Sequence, residues 1–151
     1  MKKFRYTLES VLQVKYRLEE LALAALAERQ GQLIAAQNVL NNILEEKSGH
    51  LQAILTAQRG PLNLDELLLN QRYLEALNQQ ISQQKEKIKV LTEALEAQRQ
   101  VVVQAQQERK TLEILKEKQL HSYYKAVYRE EQIVLDEVAG NRHRRLGRGT
   151  Q

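Results

Sequence analysis

The stretch QRGPLNLDELL, residues 58–68, holds the chain's single proline, Pro61, between two long tracts of helical character. It decides the fold, because it either turns one helix back on another or kinks a single rod. Its residues read as a stop followed by a start. Gly60 can take the left-handed conformation that ends a helix, and Pro61 cannot continue one. Asn63 then offers a capping side chain, with Glu66 three residues on as in a capping box. Leu62 and Leu67 stand at the staple positions around it. A complete stop and restart predicts a hairpin.

Outward from the turn, the apolar pattern agrees. After Pro61, Leu67, Leu74, Leu77, Ile81, Ile88, Leu91, Leu95, Val102, Ala105 and Leu112 fall on a 3-4 spacing. Gln84, Gln98 and Arg109 fill the slots skipped between residues 74 and 112, which is the heptad pattern of a coiled coil. Before Pro61 the stripe is looser: Leu8, Leu12, Ala22, Leu26, Leu33, Ala36, Leu40, Ile43 and Ile54, with Lys15, Glu19, Arg29, Lys47 and His50 in the other slots. Gly31 and Gly49 weaken that helix by roughly 1 kcal/mol each relative to Ala.

Register can be tested on the sequence itself, since facing positions of an antiparallel hairpin add to a constant. Leu26/Leu95, Leu33/Ile88, Leu40/Ile81, Leu44/Leu77 and Ile54/Leu67 all add to 121. On the same scheme Lys15, Arg29 and Lys47 face Glu108, Glu93 and Glu75. The expected fold is therefore all-α, a long antiparallel two-helix coiled coil forming a single domain. Helix 1 is expected over about 8–58, the turn over 59–63, helix 2 over about 64–139 and a flexible basic tail over 140–151.

Thr7 is a candidate N-cap for helix 1, with Tyr6 and Val11 placed for a staple, and Gly140-Asn141 is expected to end helix 2. The arms are unequal, about 76 and 114 Å at ~1.5 Å per residue, so helix 2 overhangs helix 1 from about residue 115. The overhang keeps an apolar stripe of Leu120, Tyr124, Val127, Val134 and Val138, flanked by Tyr123, Tyr128 and Leu135. Contiguous apolar surface on a lone helix is unfavourable, so a docking partner is expected there.

Charge is distributed to the ends. Residues 141–151 carry Arg142, Arg144, Arg145 and Arg148 and no acid, which equals the whole net charge of +4. Lys2, Lys3 and Arg5 add to the start, and residues 7–140 hold 16 basic and 19 acidic residues. With no basic helical stripe interleaved with aromatics, nucleic acid is not the expected partner. The absence of cysteine and of any long apolar run fits a cytoplasmic protein, and the opening MKKFRYTLE lacks the apolar core of a signal peptide.

Nothing points to catalysis. His50, His121 and His143 are scattered without metal-ligand spacing, and no phosphate-binding glycine loop or nucleophile motif is present. No enzyme activity, cofactor, metal or small-molecule substrate is expected. Gln84, Gln98 and Arg109 on the seam fix register, or line a surface for another helix. Tyr73, off the seam, either covers the hairpin groove or contacts a partner.

FRYTLESVLQVKYRLEE, residues 4–20, resembles the opening of the FliJ family, coiled-coil proteins of the bacterial flagellar type III export apparatus. REEQIVLDEVAGNRHRR, residues 129–145, resembles the family's closing motif, and NQRYLEALNQQI, residues 70–81, is similar to its segment after the turn. The resemblance implies an antiparallel coiled coil like the stalk of rotary ATPases. It implies that the terminal region binds the hexameric export ATPase and promotes its activity. It also implies coupling to the cytoplasmic domain of the membrane export gate and escort of export chaperones. Carried onto this chain, the ATPase-binding set is Leu8, Val11, Leu12, Glu131, Leu135, Asp136, Glu137, Val138 and Arg142. The gate-binding set is Tyr73, Leu77, Gln80 and Gln84. The expected location is cytoplasmic, peripheral to the membrane at the flagellar base. The corresponding stalk of a virulence injectisome and a stand-alone coiled-coil chaperone or tether are the alternatives.

Overall fold

The computed structural model describes residues 2–57, 60–61 and 63–149. Among them are two helices and no strand: α1, Glu9–Ala57, and α2, Leu64–Gly147. The helices pack against each other as an antiparallel hairpin, with α2 the longer. Gly60 and Pro61 lie between them, and Asn63 caps α2 by accepting the Asp65 N–H on its Oδ1 at 3.1 Å. The staple position Leu62, the last expected residue of helix 1, Gln58, and the turn residue Arg59 lie outside the described residues.

The seam follows the heptads. Of the expected α1 slots from Leu8 to Ile54, all but Arg29 are buried or half-buried, as are all twelve α2 slots from Leu74 to Leu112. Leu44 is the misplaced pairing residue: it is exposed, and Ile43 takes the seam instead. Leu67, at the end of the hairpin, is also exposed.

The chain divides into two compact units. In the first, Glu19–Gln104, the buried side chains are Ala22, Ala36, Leu77, Ile81, Leu95 and Val102. The two seam glutamines behave alike here. Gln98 Nε2 donates to the Ala22 carbonyl at 3.1 Å, and Gln84 Nε2 donates to the Ala36 carbonyl at 2.8 Å. Each reaches across because the residue opposite ends at a methyl group, leaving the backbone oxygen open. Both pairs add to 120, one short of the register read from the leucines.

The second unit comprises Met1–Leu18 and Ala105–Gln151, with Tyr6 and Leu12 as its buried residues. The Leu8 carbonyl accepts the Leu12 N–H at 2.9 Å and the Tyr6 carbonyl accepts the Glu9 N–H at 3.1 Å, so Leu8 stands at the cap position expected for Thr7 and α1 begins one residue later than expected, at Glu9. Tyr6 is turned onto α2 instead of stapling to Val11, which stays 40 % exposed. In this unit α2 runs through Gly140-Asn141 to Gly147, where the sequence predicts a stop near 139 and a flexible tail. The physical reason is conformational: no described glycine has a positive φ, so Gly140 makes no left-handed stop. Arg144 and Arg145 in the last turn also favour extension by complementing the helix dipole.

Two stability outcomes are expected. Nothing lies within 4 Å of a Cβ placed at Gly31 or Gly49, so Gly31→Ala and Gly49→Ala should each stabilise α1 by about 0.5–1 kcal/mol in thermal denaturation. Leu12, 2 % exposed, should cost about 2–5 kcal/mol on replacement by Ala, read from the same melts.

Candidate functional site

The end unit contains the richest side-chain chemistry. Residues 2–6 precede α1 outside any helix or strand and lie along α2. The Tyr6 hydroxyl donates to the Leu112 carbonyl at 2.9 Å, the Tyr123 hydroxyl donates to the Lys2 carbonyl at 2.7 Å, and the Phe4 and Tyr123 rings pack 5.6 Å apart. This strap covers α2 further than α1 does. The expected overhang from residue 115 is thereby shortened: Leu120, Tyr123 and Val127 are half-buried, and unbroken exposure begins at Tyr128. Sequence reading missed the strap. Its signal is the alternation of Phe4 and Tyr6, which places both rings on one side of an extended segment.

Next to the strap, ion pairs join α1 to α2 and brace α2 itself. Lys116 Nζ lies 2.8 Å from Glu9 Oε2, Lys15 Nζ lies 2.8 Å from Glu108 Oε2, and Arg109 pairs with Glu113 at 2.8 Å. The Tyr16 hydroxyl donates to Glu113, while the Arg109 guanidinium sits 5.7 Å from the Tyr16 ring centre. Arg29 and Lys47 form no such pair with Glu93 and Glu75 among the described residues. The Lys116 ammonium, with Gln13 as a second donor, holds the Glu9 carboxyl below 4.5. Donation from Tyr16, then from Arg109, lowers Glu113 in the same way. The bond to Glu113 raises the Tyr16 hydroxyl above 10.0.

Beyond the strap, every described residue from Tyr128 to Gly149 is exposed. Tyr128, Ile133, Val134, Leu135, Val138 and Leu146 present 53–68 % of their surface. Of the expected ATPase-binding set, Glu131, Leu135, Asp136, Glu137, Val138 and Arg142 lie on this stretch, and Val11 is exposed on α1. Leu8 is half-buried and Leu12 belongs to the core.

The expected gate-binding set lies in the Glu19–Gln104 unit. Tyr73 is 38 % exposed, bonds through its hydroxyl to Glu46, and packs edge-on against His50 with ring centres 4.4 Å apart. Gln80 is exposed, Gln84 is occupied with Ala36, and Leu77 is buried at 3 % exposure.

Residues 4–148 match the family described as Flagellar FliJ protein. The chain belongs to the FliJ family. No curated protein and no solved structure shows a match. As a FliJ-family chain it is a component of the flagellar protein-export apparatus, within a family of structural rather than catalytic proteins. No described helix of it is long and apolar enough to cross a membrane.

The carboxyl shifts carry a sign. Folding lowers Glu9 and Glu113, so their contribution is present above 4.5 and is lost as the pH falls through their folded values. Acidification from about pH 7 to about pH 3 is therefore expected to lower the melting temperature, and Glu9→Gln with Glu113→Gln should flatten that acid limb. A limb of the same depth in the double variant would remove these two groups from the account.

Proposed function

We propose that this chain is the central stalk of the flagellar export ATPase. The end unit docks into the hexameric ring and promotes its turnover, and the region near the turn engages the cytoplasmic domain of the membrane export gate. The observation that carries the reading is the uncovered apolar surface from Tyr128 to Leu146, on the stretch of α2 where every described residue is exposed. Such a helix is narrow enough to enter a pore that a globular domain cannot. Apolar contacts lack the directionality of hydrogen bonds, so a ring can change conformation around them without breaking a fixed set of bonds.

Burial refines the contact residues. Leu12 and Leu77 face the partner helix and act as packing residues behind the contact surfaces. Leu135, Val138, Glu131, Asp136, Glu137 and Arg142, together with Val11 and the half-buried Leu8, make the ATPase-facing set. Tyr73 and Gln80, supported by Gln84, make the gate-facing set. The stalk acts on the cytoplasmic side of the membrane at the flagellar base, and its exposed coiled-coil surface also suits the transient escort of export chaperones.

The test is a titration of the export ATPase with the full chain. Stimulated hydrolysis is expected, and Leu135→Ala with Val138→Ala should weaken binding by about tenfold or more through lost apolar burial. An unstimulated ATPase, or unchanged binding by a variant of native helicity, rejects the stalk reading.

A further inference from the structure

The overhanging part of α2 has a face that complements itself. Tyr124, Tyr128, Glu131, Leu135, Val138, Arg142 and Arg145 follow an unbroken alternation of four and three residues along one side. Glu131 and Arg142 stand in that row where a seam normally holds apolar groups. Neither can be neutralised along its own helix. Three and four residues from Glu131 lie Val127, Tyr128, Val134 and Leu135; around Arg142 lie Val138, Ala139, Arg145 and Leu146. Both are exposed, and neither finds a partner elsewhere among the described residues of its chain.

The row is a palindrome with charge inverted about a point between Asp136 and Glu137. Toward the N-terminus it meets Leu135, Glu131 and Tyr128; toward the C-terminus it meets Val138, Arg142 and Arg145. When two such helices lie antiparallel about that point, Leu135 faces Val138, Glu131 faces Arg142, and Tyr128 faces Arg145. Each pair adds to 273, as an antiparallel seam requires, and two-fold symmetry makes every pair twice. The apolar pair packs, the charges neutralise on the seam, and the guanidinium can cover the tyrosine face. The like-charged matches at the same total, Lys125 with Arg148, Arg129 with Arg144 and Asp136 with Glu137, lie more than about 100° round the helix from the seam, in solvent.

We propose that this face binds a second copy of the chain, forming an antiparallel homodimer through residues 128–145 of α2. An anionic surface such as a membrane or a nucleic acid would satisfy the arginines but be repelled by Glu131, whereas a second copy satisfies both signs at once. The dimer does not depend on the stalk reading. It covers the same Leu135 and Val138, so self-pairing is a state in which the ring-facing surface is closed and docking has to displace the second copy.

Sedimentation equilibrium on the full chain tests this across micromolar concentrations. The average mass is expected to climb from 17.5 kDa toward twice that value. Glu131→Arg sets Arg against Arg twice and Arg142→Glu sets Glu against Glu twice, so each variant alone should remain at 17.5 kDa. An equimolar mixture of the two should climb again, because each variant then meets its complement. Both substitutions are on exposed helical positions, and circular dichroism checks that helicity is kept. A wild-type chain that stays at 17.5 kDa at every concentration overturns the dimer, even if it stimulates the ATPase. So do single variants that associate like wild type, or a mixture that fails to associate.

Discussion

Two helices can bury only the strip of each that faces the other, and everything else in this protein follows from that limit. Among the described residues there is no second layer to enclose a cavity, so the interior is a single file of side chains. Among the described residues only Tyr6, Leu12, Ala22, Ala36, Leu77, Ile81, Leu95 and Val102 are buried. With so few apolar side chains buried, any one register is weakly preferred over its neighbours. The seam glutamines sharpen that preference, because Gln98 and Gln84 reach backbone oxygens only where Ala22 and Ala36 leave them open. A shift by one heptad would set Gln98 against another side chain and strand its amide, and an unpaired polar group on a seam is costly.

The hairpin and the buried side of each helix were legible in the sequence because both rest on local chemistry. Asn63 caps α2 through a bond two residues away, and the heptads mark the buried side of each helix before any partner is specified. What stayed hidden depends on contacts remote in sequence. Tyr6 reads as a local staple for Val11, yet its hydroxyl finds the Leu112 carbonyl. Gly140 reads as a stop, yet a glycine ends a helix only when its φ turns positive, and this one does not. Leu44 and Ile43 are both apolar and adjacent; the spacing marked Ile43, while the pairing at a total of 121 took the exposed Leu44. Among the candidate site residues, spacing could not separate those that face the partner helix, Leu12 and Leu77, from those that face solvent.

The difference between 49 residues in α1 and 84 in α2 divides the longer helix into two chemical environments. Where α1 lies alongside, the seam glutamines are satisfied by its backbone. Past Val127, Glu131 and Arg142 share a periodic row of their own, with no described residue of the chain opposite. A coiled-coil sequence continued beyond its partner is incomplete in a defined way, and the missing half must present apolar groups and both signs of charge. Both the ring-docking and self-pairing proposals address that one deficiency.

The strap also has a consequence for how the chain comes into being. Tyr6 and Leu112 are 106 residues apart and Lys2 and Tyr123 are 121 apart, among the longest-range contacts in the molecule. During synthesis residues 2–6 therefore wait until α2 has been made through Tyr123 before they can settle, while the turn and the central pairing need only local chain. The hairpin can zip outward from Pro61, and the strap is the final piece to dock. A docked strap thus reports that α2 has been built and folded as far as Tyr123.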